Sequence, residues 1–419
     1  MTQRATAFSV PSIPLLAQVS IAHLVSHLHI MALPALLPLL PRQMGVGFVQ
    51  LGLALSVFNV VSALVQAPMG YLVDRFGARR ILMAGLLLGS LSFLSLAVHG
   101  SYVWLLVAMA FAGVANGVYH PADYALLAQG VEESRVGRAF SIHTFAGFLG
   151  GAIAPGLLLG VAALAGTSGA FATAGLVGLL AVAVMMLPSR VVAAARPLAA
   201  DRGGKGSKGK AKLGGKAGAA VRVFTPTVLV LTLLFTLLSL STGSVQNFSV
   251  AALVTGYGIE LSLANLALTA FLFASALGVL AGGVVADRTQ RHGAVAASAF
   301  AATALLIGFV ALTDPPAAVL VPVMGVAGFL SGLITPSRDM LVRAAAPAGA
   351  EGRVFGIVST GFNIGGAAGP VLFGWLIDSG HPRGIFWSAV LFMLLTVVLT
   401  LLQEWHRARK LRRTIATAG

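Results

Sequence analysis

"GRAFSIHTFAGFLGGAIAPGL" (residues 137–157) and "GRVFGIVSTGFNIGGAAGPVL" (residues 352–372) agree at nine of 21 positions, including Gly-Arg, Gly-Gly and a proline. A second pair, "AGVANGVYHP" (112–121) and "AGFLSGLITP" (327–336), has the same separation of 215 residues. A shorter echo is "GYLVDR" (70–75) against "GGVVADR" (282–288). One register held over such a length means that the chain is built from two parallel copies of one unit, with a seam between them.

Composition says what the unit is made of. Of 419 residues 58% are hydrophobic and 9% charged, and the mean hydropathy is +0.93. A soluble domain carries about 25% charged residues, so most of this chain is solvated by lipid. A helix needs about 20 apolar residues to cross the hydrocarbon core. Twelve such stretches run roughly 14–40, 47–72, 80–99, 102–128, 136–161, 167–187, 226–254, 261–286, 293–313, 316–342, 352–377 and 383–404. The expected fold is all-α and membrane-embedded, with two pseudo-symmetric six-helix bundles. The first stretch extends past the length of a signal peptide's apolar region without a small-residue cleavage site, so it reads as a retained helix. Glycines inside the spans suit close helix–helix approach. Cysteine is absent, which excludes a disulfide framework and thiolate metal sites.

The expected organisation is an N-terminal bundle over residues 1–187, a Gly/Lys-rich linker over 188–225, a C-terminal bundle over 226–406 and a basic tail over 407–419. Nine basic residues between 188 and 222 face the single Asp201, a net +8 of the chain's +15. No aromatic residues interleave with them to stack bases, so the linker implies anionic lipid headgroups and not nucleic acid. With twelve spans, all Lys and Arg except Arg42 and Arg383 fall on one side. The positive-inside rule then makes both termini cytoplasmic.

"GYLVDRFGARR" (70–80) joins spans two and three. It resembles the loop signature of the major facilitator superfamily, with Gly70, Asp74, Arg75 and Gly77 matching, Ala78 departing from the first closing basic position, and Arg79 and Arg80 following. Asp287 and Arg288 repeat the motif in the second half. The resemblance implies a membrane transporter working by alternating access, and not an enzyme. It also implies a conformational latch: Gly70 for close helix approach, and Asp74 meeting a helix N-terminus or pairing with Arg138 and Arg353 at the starts of spans five and eleven. The alternative is a solvated loop that only sets topology. Gly365, Gly369 and Pro370 of span eleven resemble the family's antiporter motif, whereas in span five, where antiporters carry it, Ala154-Pro155 replaces the Gly-Pro and the motif is degenerate. Pro121, Pro155, Pro336 and Pro370 are the expected helix kinks. "YHPAD" (119–123) is similar to a stretch in span four of fosmidomycin-resistance-type exporters. Those exporters approach span five through a sequence unlike "SIHTFAGF", so no substrate carries over.

Ionisable groups within spans cost about 2.5–3.5 kcal/mol on insertion scales, so they are expected to face a cavity or each other. His27 and Asn59 fall near mid-depth of spans one and two. His120 and His143 fall in the inner half of spans four and five, and Asp123 one turn from the end of span four. Gln246 and Asn247 lie in span seven, Asn363 in span eleven, and Arg338 at the repeat position of Asp123. His120 and Asp123, three apart, share a helix face, so the carboxylate can orient the imidazole. An imidazole titrates where a transport cycle can load and release protons. His27, His120, Asp123 and His143 are therefore the candidate proton-coupling residues, against a reading in which Asp123 merely pairs with Arg138. His27, Asn59, His120, His143, Gln246, Asn247, Arg338 and Asn363 are the candidate substrate contacts. His23, His27 and Met31, spaced by four, also admit a soft-metal path; the other reading has His27 lining the central cavity and His23 packing at the inner mouth. No spacing points to a resident metal, a nucleotide loop or a catalytic constellation. The readings are proton-coupled efflux of a small organic solute from a bacterial inner-membrane monomer without a cofactor, proton-symport import of an organic anion, or movement of a transition metal or its chelate.

Overall fold

The computed structural model describes residues 13–131, 135–190, 225–289, 291–345 and 351–418. Most of the expected linker lies outside these residues. Twelve helices are described: α1 (Leu15–Leu36), the five-residue α2 (Leu40–Met44), α3 (Phe48–Phe76), α4 (Ala78–Val98), α5 (Tyr102–Gly130), α6 (Val136–Met186), α7 (Pro226–Tyr257), α8 (Leu261–Arg288), α9 (His292–Leu312), α10 (Ala317–Ala345), α11 (Glu351–Asp378) and α12 (Gly384–Ala418).

Eleven of these are long and apolar enough to cross a membrane, and one of them crosses twice. At 1.5 Å per residue the 51 residues of α6 would span about 75 Å, against a hydrocarbon core of about 30 Å. Gly166 breaks it, at φ 69° and ψ 178°. Only glycine adopts that backbone readily, so the chain leaves the helix there and re-enters it. The two arms, residues 136–165 and 167–186, are the fifth and sixth expected spans. Pro121, Pro155, Pro336 and Pro370 each sit inside a helix that continues through them.

The repeat survives in three dimensions. Helices α5 and α10 have 29 residues each, and both their first and their last residues stand 215 apart. Packing partners correspond as well. Helix α3 packs on α5 as α8 does on α10, α1 on α6 as α7 on α11, and α4 on α6 as α9 on α12. The pairs that join the halves, α3 with α11 and α6 with α8, also exchange under the same two-fold relation.

Burial divides unevenly along the membrane normal. One hydrophobic core draws on both halves; it includes Phe48, Leu51 and Phe58 of α3, Phe248 of α7 and Phe373 of α11. Two further cores each belong to one half. One gathers Val19, Leu82, Tyr119 and Met185, the other Leu231, Phe235, Val342 and Val358. Both lie toward the end that carries residues 70–80, here called the basic end. The bundles are thus fused at the far end and separate at the basic end.

The exit from the first bundle is pinned at the basic end. Ile13–Pro14 pairs in parallel with Ser189–Arg190. Gln18 donates to the carbonyls of Val184 and Leu187, both at 3.0 Å. The Arg79 guanidinium donates to the carbonyls of Met185 and Leu187 and to the Ser189 hydroxyl. These are the orphan carbonyls of a helix C-terminus, which a cation satisfies well. Among the described residues the partners of Arg79 are therefore this helix end and the start of the chain beyond it. It does not pair with Asp74.

Candidate functional site

Closure at the far end rests on helix α3 meeting α11. The Asp378 carboxylate, at the last residue of α11, accepts from the backbone N–H groups of Phe48 at 2.9 Å and Val49 at 2.8 Å. These are orphan donors of the α3 N-terminus, where a negative charge also meets the helix dipole favourably. The helices touch backbone to backbone below this cap. A Cβ on Gly52 would lie 2.2 Å from the Pro370 carbonyl, and one on Gly374 would lie 2.3 Å from that of Phe48. The Ser56 hydroxyl donates across the seam to the Ala367 carbonyl at 2.5 Å.

The basic end is different. A Cβ on Gly70 or Gly283 would meet nothing within 4 Å. Asp74, Arg75, Gly77, Arg138, Asp287 and Arg288 are exposed. Arg75 stacks on its neighbour Phe76 at 5.2 Å. Among the described residues no ion pair joins Asp74 to Arg138, and the side chain of Arg353 lies outside them. The expected tight approach at Gly70 is therefore absent here, because the separated bundles leave no opposing helix against it.

Between the bundles lie two connected chambers. The larger, about 580 Å³, is bordered by His23, His27 and His120 from the first half and Arg338, Asp339 and Asn363 from the second. Tyr124, on its rim toward the basic end, is exposed, and Asp339 beside it is half-buried. The smaller chamber, about 290 Å³, lies beneath the far-end closure and is lined by Asn59, Gln246, Asn247 and Asn363 among others. Gln246 and Asn363 border both. Hence Asn59, Gln246, Asn247, His27, His120, Arg338 and Asn363 all line one polar seam, although they come from six helices, whereas His143, also expected to contact solute, is buried between helices and borders neither chamber. Asn59 donates to the Leu55 carbonyl at 2.8 Å, leaving its carboxamide oxygen beside Gly366.

Arg338 is built into the wall. Its guanidinium lies over the rings of Phe235 at 4.9 Å and Phe362 at 5.1 Å, and it pairs with Asp339 at 2.7 Å. A planar, weakly hydrated guanidinium stacks on aromatic faces more readily than a compact, strongly hydrated ammonium.

Opposite lies a buried cluster that differs from the one-helix arrangement expected from sequence. Asp123 is fully buried, but its nearest ionisable partners are not on α5. His23 Nδ1 of α1 lies 3.2 Å from Asp123 Oδ2, and His143 Nε2 of α6 lies 3.6 Å from the same oxygen. The His23 and His143 rings stack with centroids 3.8 Å apart. His27 and His120 complete the set, 4.7 Å and 5.4 Å from the His23 ring. The expectation that Asp123 orients His120 within α5 is thus corrected. The carboxylate turns into the α1–α6 interface, where close packing brings two other imidazoles nearer. The alternative pairing with Arg138 fails too, since that guanidinium is exposed. His23, expected to pack at the inner mouth, is instead the hub of the cluster. Its tie to Asp123 spans 100 residues, and no local spacing announces it.

Gly147 makes the hub possible. A Cβ there would lie 2.7 Å from His23 Cδ2 and Nε2 and 3.0 Å from His27 Cδ2. Helix α6 can approach α1 this closely only without a side chain at that position. His29, on another face of α1, takes no part: its Nε2 contacts the Ala174 carbonyl at 3.0 Å beside Phe93.

Two like-built helix bundles, fused at one end and parted at the other around a polar cavity, define a membrane transporter with its cavity between the halves. The sequence matches the profile of the Major Facilitator Superfamily over residues 19–249 and 231–418, and the chain belongs to that family. It is 28% identical over 288 residues to the fosmidomycin resistance protein of Escherichia coli (strain K12), covering 67% of this chain and 66% of that one. An MFS-type transporter of Bacillus subtilis (strain 168) is 26% identical over 411 residues, 94% of this chain and 95% of that one. The fold is similar to that of a bacterial homologue of the human lysosomal transporter Spinster in its inward-facing, unoccupied conformation. The TM-score is 0.69 at 15% identity, over 93% of this chain and 94% of the other. The chain is therefore a multi-pass membrane transporter of small solutes, and not an enzyme.

Proposed function

We propose that this transporter exports a small organic solute from a bacterial cytoplasm by exchange for protons. The carrying observation is the cluster in which His23, His27 and His120 border the cavity and Asp123 and His143 are buried directly behind them. A net charge buried away from water is expensive, so a carboxylate set among imidazoles trades its charge state against what lies beside it. A proton entering the cluster makes the wall of the larger chamber more positive, and a proton leaving it reverses this. Solute and proton then favour opposite occupancies of one seam, which is the logic of antiport. Coupling is to a proton gradient, with no cofactor.

The charge pattern supports placing the basic end in the cytoplasm and the protein in the inner membrane. The linker then lies near anionic headgroups, and a single chain holds the complete cavity. In that orientation the far-end closure by α3 and α11 makes this the inward-open state. Rocking about the seam would bring Asp74 toward the start of α11 and Arg353, and Asp287 toward its counterpart in the first half, which closes the basic end.

Proteoliposomes carrying an imposed pH gradient test the direction. Solute loss as protons enter supports export, whereas solute and protons moving together refute it. Symport import of an organic anion is the second reading. It is favoured by Arg338, the guanidinium held at the cavity wall over two phenylalanine rings.

A further inference from the structure

We propose that His23, Asp123 and His143 form a binding site for a first-row divalent cation of the zinc class, and that this cation competes with protons at the cluster. The inference rests on the reading that the cluster carries the coupling charge, and it adds a second occupant.

Three observations carry it. The donor set is right: two imidazole nitrogens and one carboxylate oxygen are the ligands that zinc takes at sites with an open fourth position. The spacing is right as well. Zinc bonds of about 2.0–2.2 Å in a tetrahedron put donors about 3.3 Å apart. The two pairs that share Asp123 Oδ2 are at 3.2 Å and 3.6 Å, and all three donors lie within 4.8 Å of one another. The donors are also unspent. Both Asp123 oxygens, His23 Nδ1 and both His143 nitrogens are buried without a hydrogen-bond partner. The three residues are 0%, 4% and 1% exposed respectively. Unpartnered buried donors of this kind are uncommon in a folded protein, and a cation in their midst would satisfy them together.

The surroundings meet the remaining requirements of a metal site, an entry path and a fourth ligand. His23, His27 and His120 border the larger chamber, so an ion reaches the cluster from the cavity. His120, whose Nδ1 is also buried without a partner, or a solvent molecule can complete the coordination. Among the described residues this is the only group of three or more such side chains close enough to share an ion. The spacing of the sequence pointed to no resident metal because the three donors come from three helices. A cation held by the Asp123 oxygen and the two imidazole lone pairs leaves no room for a proton at the same atoms and fixes the charge of the cluster. Zinc should therefore block proton-coupled transport without occupying the solute chambers.

The test uses the full-length, tag-free protein in detergent, titrated with ZnCl2 by calorimetry and with CoCl2 by visible spectroscopy. One tight site per chain is expected, with a low-coordinate Co2+ spectrum, weakened at least 100-fold by Asp123→Asn and by His143→Gln. Variants that retain the wild-type thermal transition keep the comparison sound. His23→Gln supplies a third if either of the others fails to fold. Absence of a tight site, or one that His143→Gln leaves unchanged, overturns the proposal. Flux in chelator-treated proteoliposomes separates this from the transport reading. Proton-driven flux without zinc binding sinks the metal site alone, and zinc binding without proton-driven flux sinks antiport alone.

Discussion

Removing the Asp378 carboxylate should loosen the far-end closure by a calculable amount. The side chain accepts two hydrogen bonds from the first turn of α3, at 2.9 Å and 2.8 Å, and it is exposed to solvent. Asp378→Asn keeps an acceptor but loses the charge facing the helix dipole, a cost of about 0.3–1 kcal/mol. Asp378→Ala loses both bonds, and an N-terminal cap is worth about 1–2 kcal/mol. The bonds form only while the bundles are fused at this end, so the loss appears directly in the balance between the two access states. About 1.4 kcal/mol is tenfold, so Asp378→Ala should raise the population open at the far end by roughly 5- to 30-fold, and Asp378→Asn by about 2- to 5-fold. The chain contains no cysteine, so Asn247→Cys in the smaller chamber supplies a single thiol reporter. An impermeant maleimide added on the Asp378 side reads the open population as a labelling rate. A rate in Asp378→Ala within twofold of the parent would refute the assignment of this contact as the gate.

Three other substitutions probe separate parts of the structure. Gly147→Ala places a methyl group against the His23 ring and should abolish proton-coupled flux while leaving membrane insertion intact, as measured by transport and surface labelling. Arg79→Ala removes the cation that satisfies the end of α6 and should lower stability in detergent by about 2 kcal/mol, read from the shift of the thermal transition. Arg338→Lys keeps the charge but loses the planar stacking on Phe235 and Phe362. It should raise the KM for solute several-fold with a smaller change in maximal rate, and an unchanged KM would remove Arg338 from the binding surface.

Hydropathy and the repeat carried much of the fold because both are local or periodic properties. Lipid selects apolar stretches of fixed length, and the 215-residue register survives as equal helices in equal places. The break at Gly166 was legible as the gap between two apolar runs, although the helical backbone resumes at once on both sides. Polar residues within the spans were legible too. His27, Asn59, Gln246, Asn247 and Asn363 do border the seam, because a polar group in lipid has few other places to go.

Partnership was not legible. Sequence spacing joined Asp123 to His120 on one helix, whereas packing joined it to His23 and His143 on two others. The motif arginine Arg79 turned out to bind the end of α6, and Asp378, which carries no motif, caps the helix that opens the second span. Chain order alone therefore determined that this protein crosses the membrane twelve times in two similar halves, since hydrophobic length and periodicity are written residue by residue. Only the tertiary structure decided which charges meet, because contact between helices depends on where a glycine such as Gly147 lets two backbones approach, and that choice is made across a hundred residues or more.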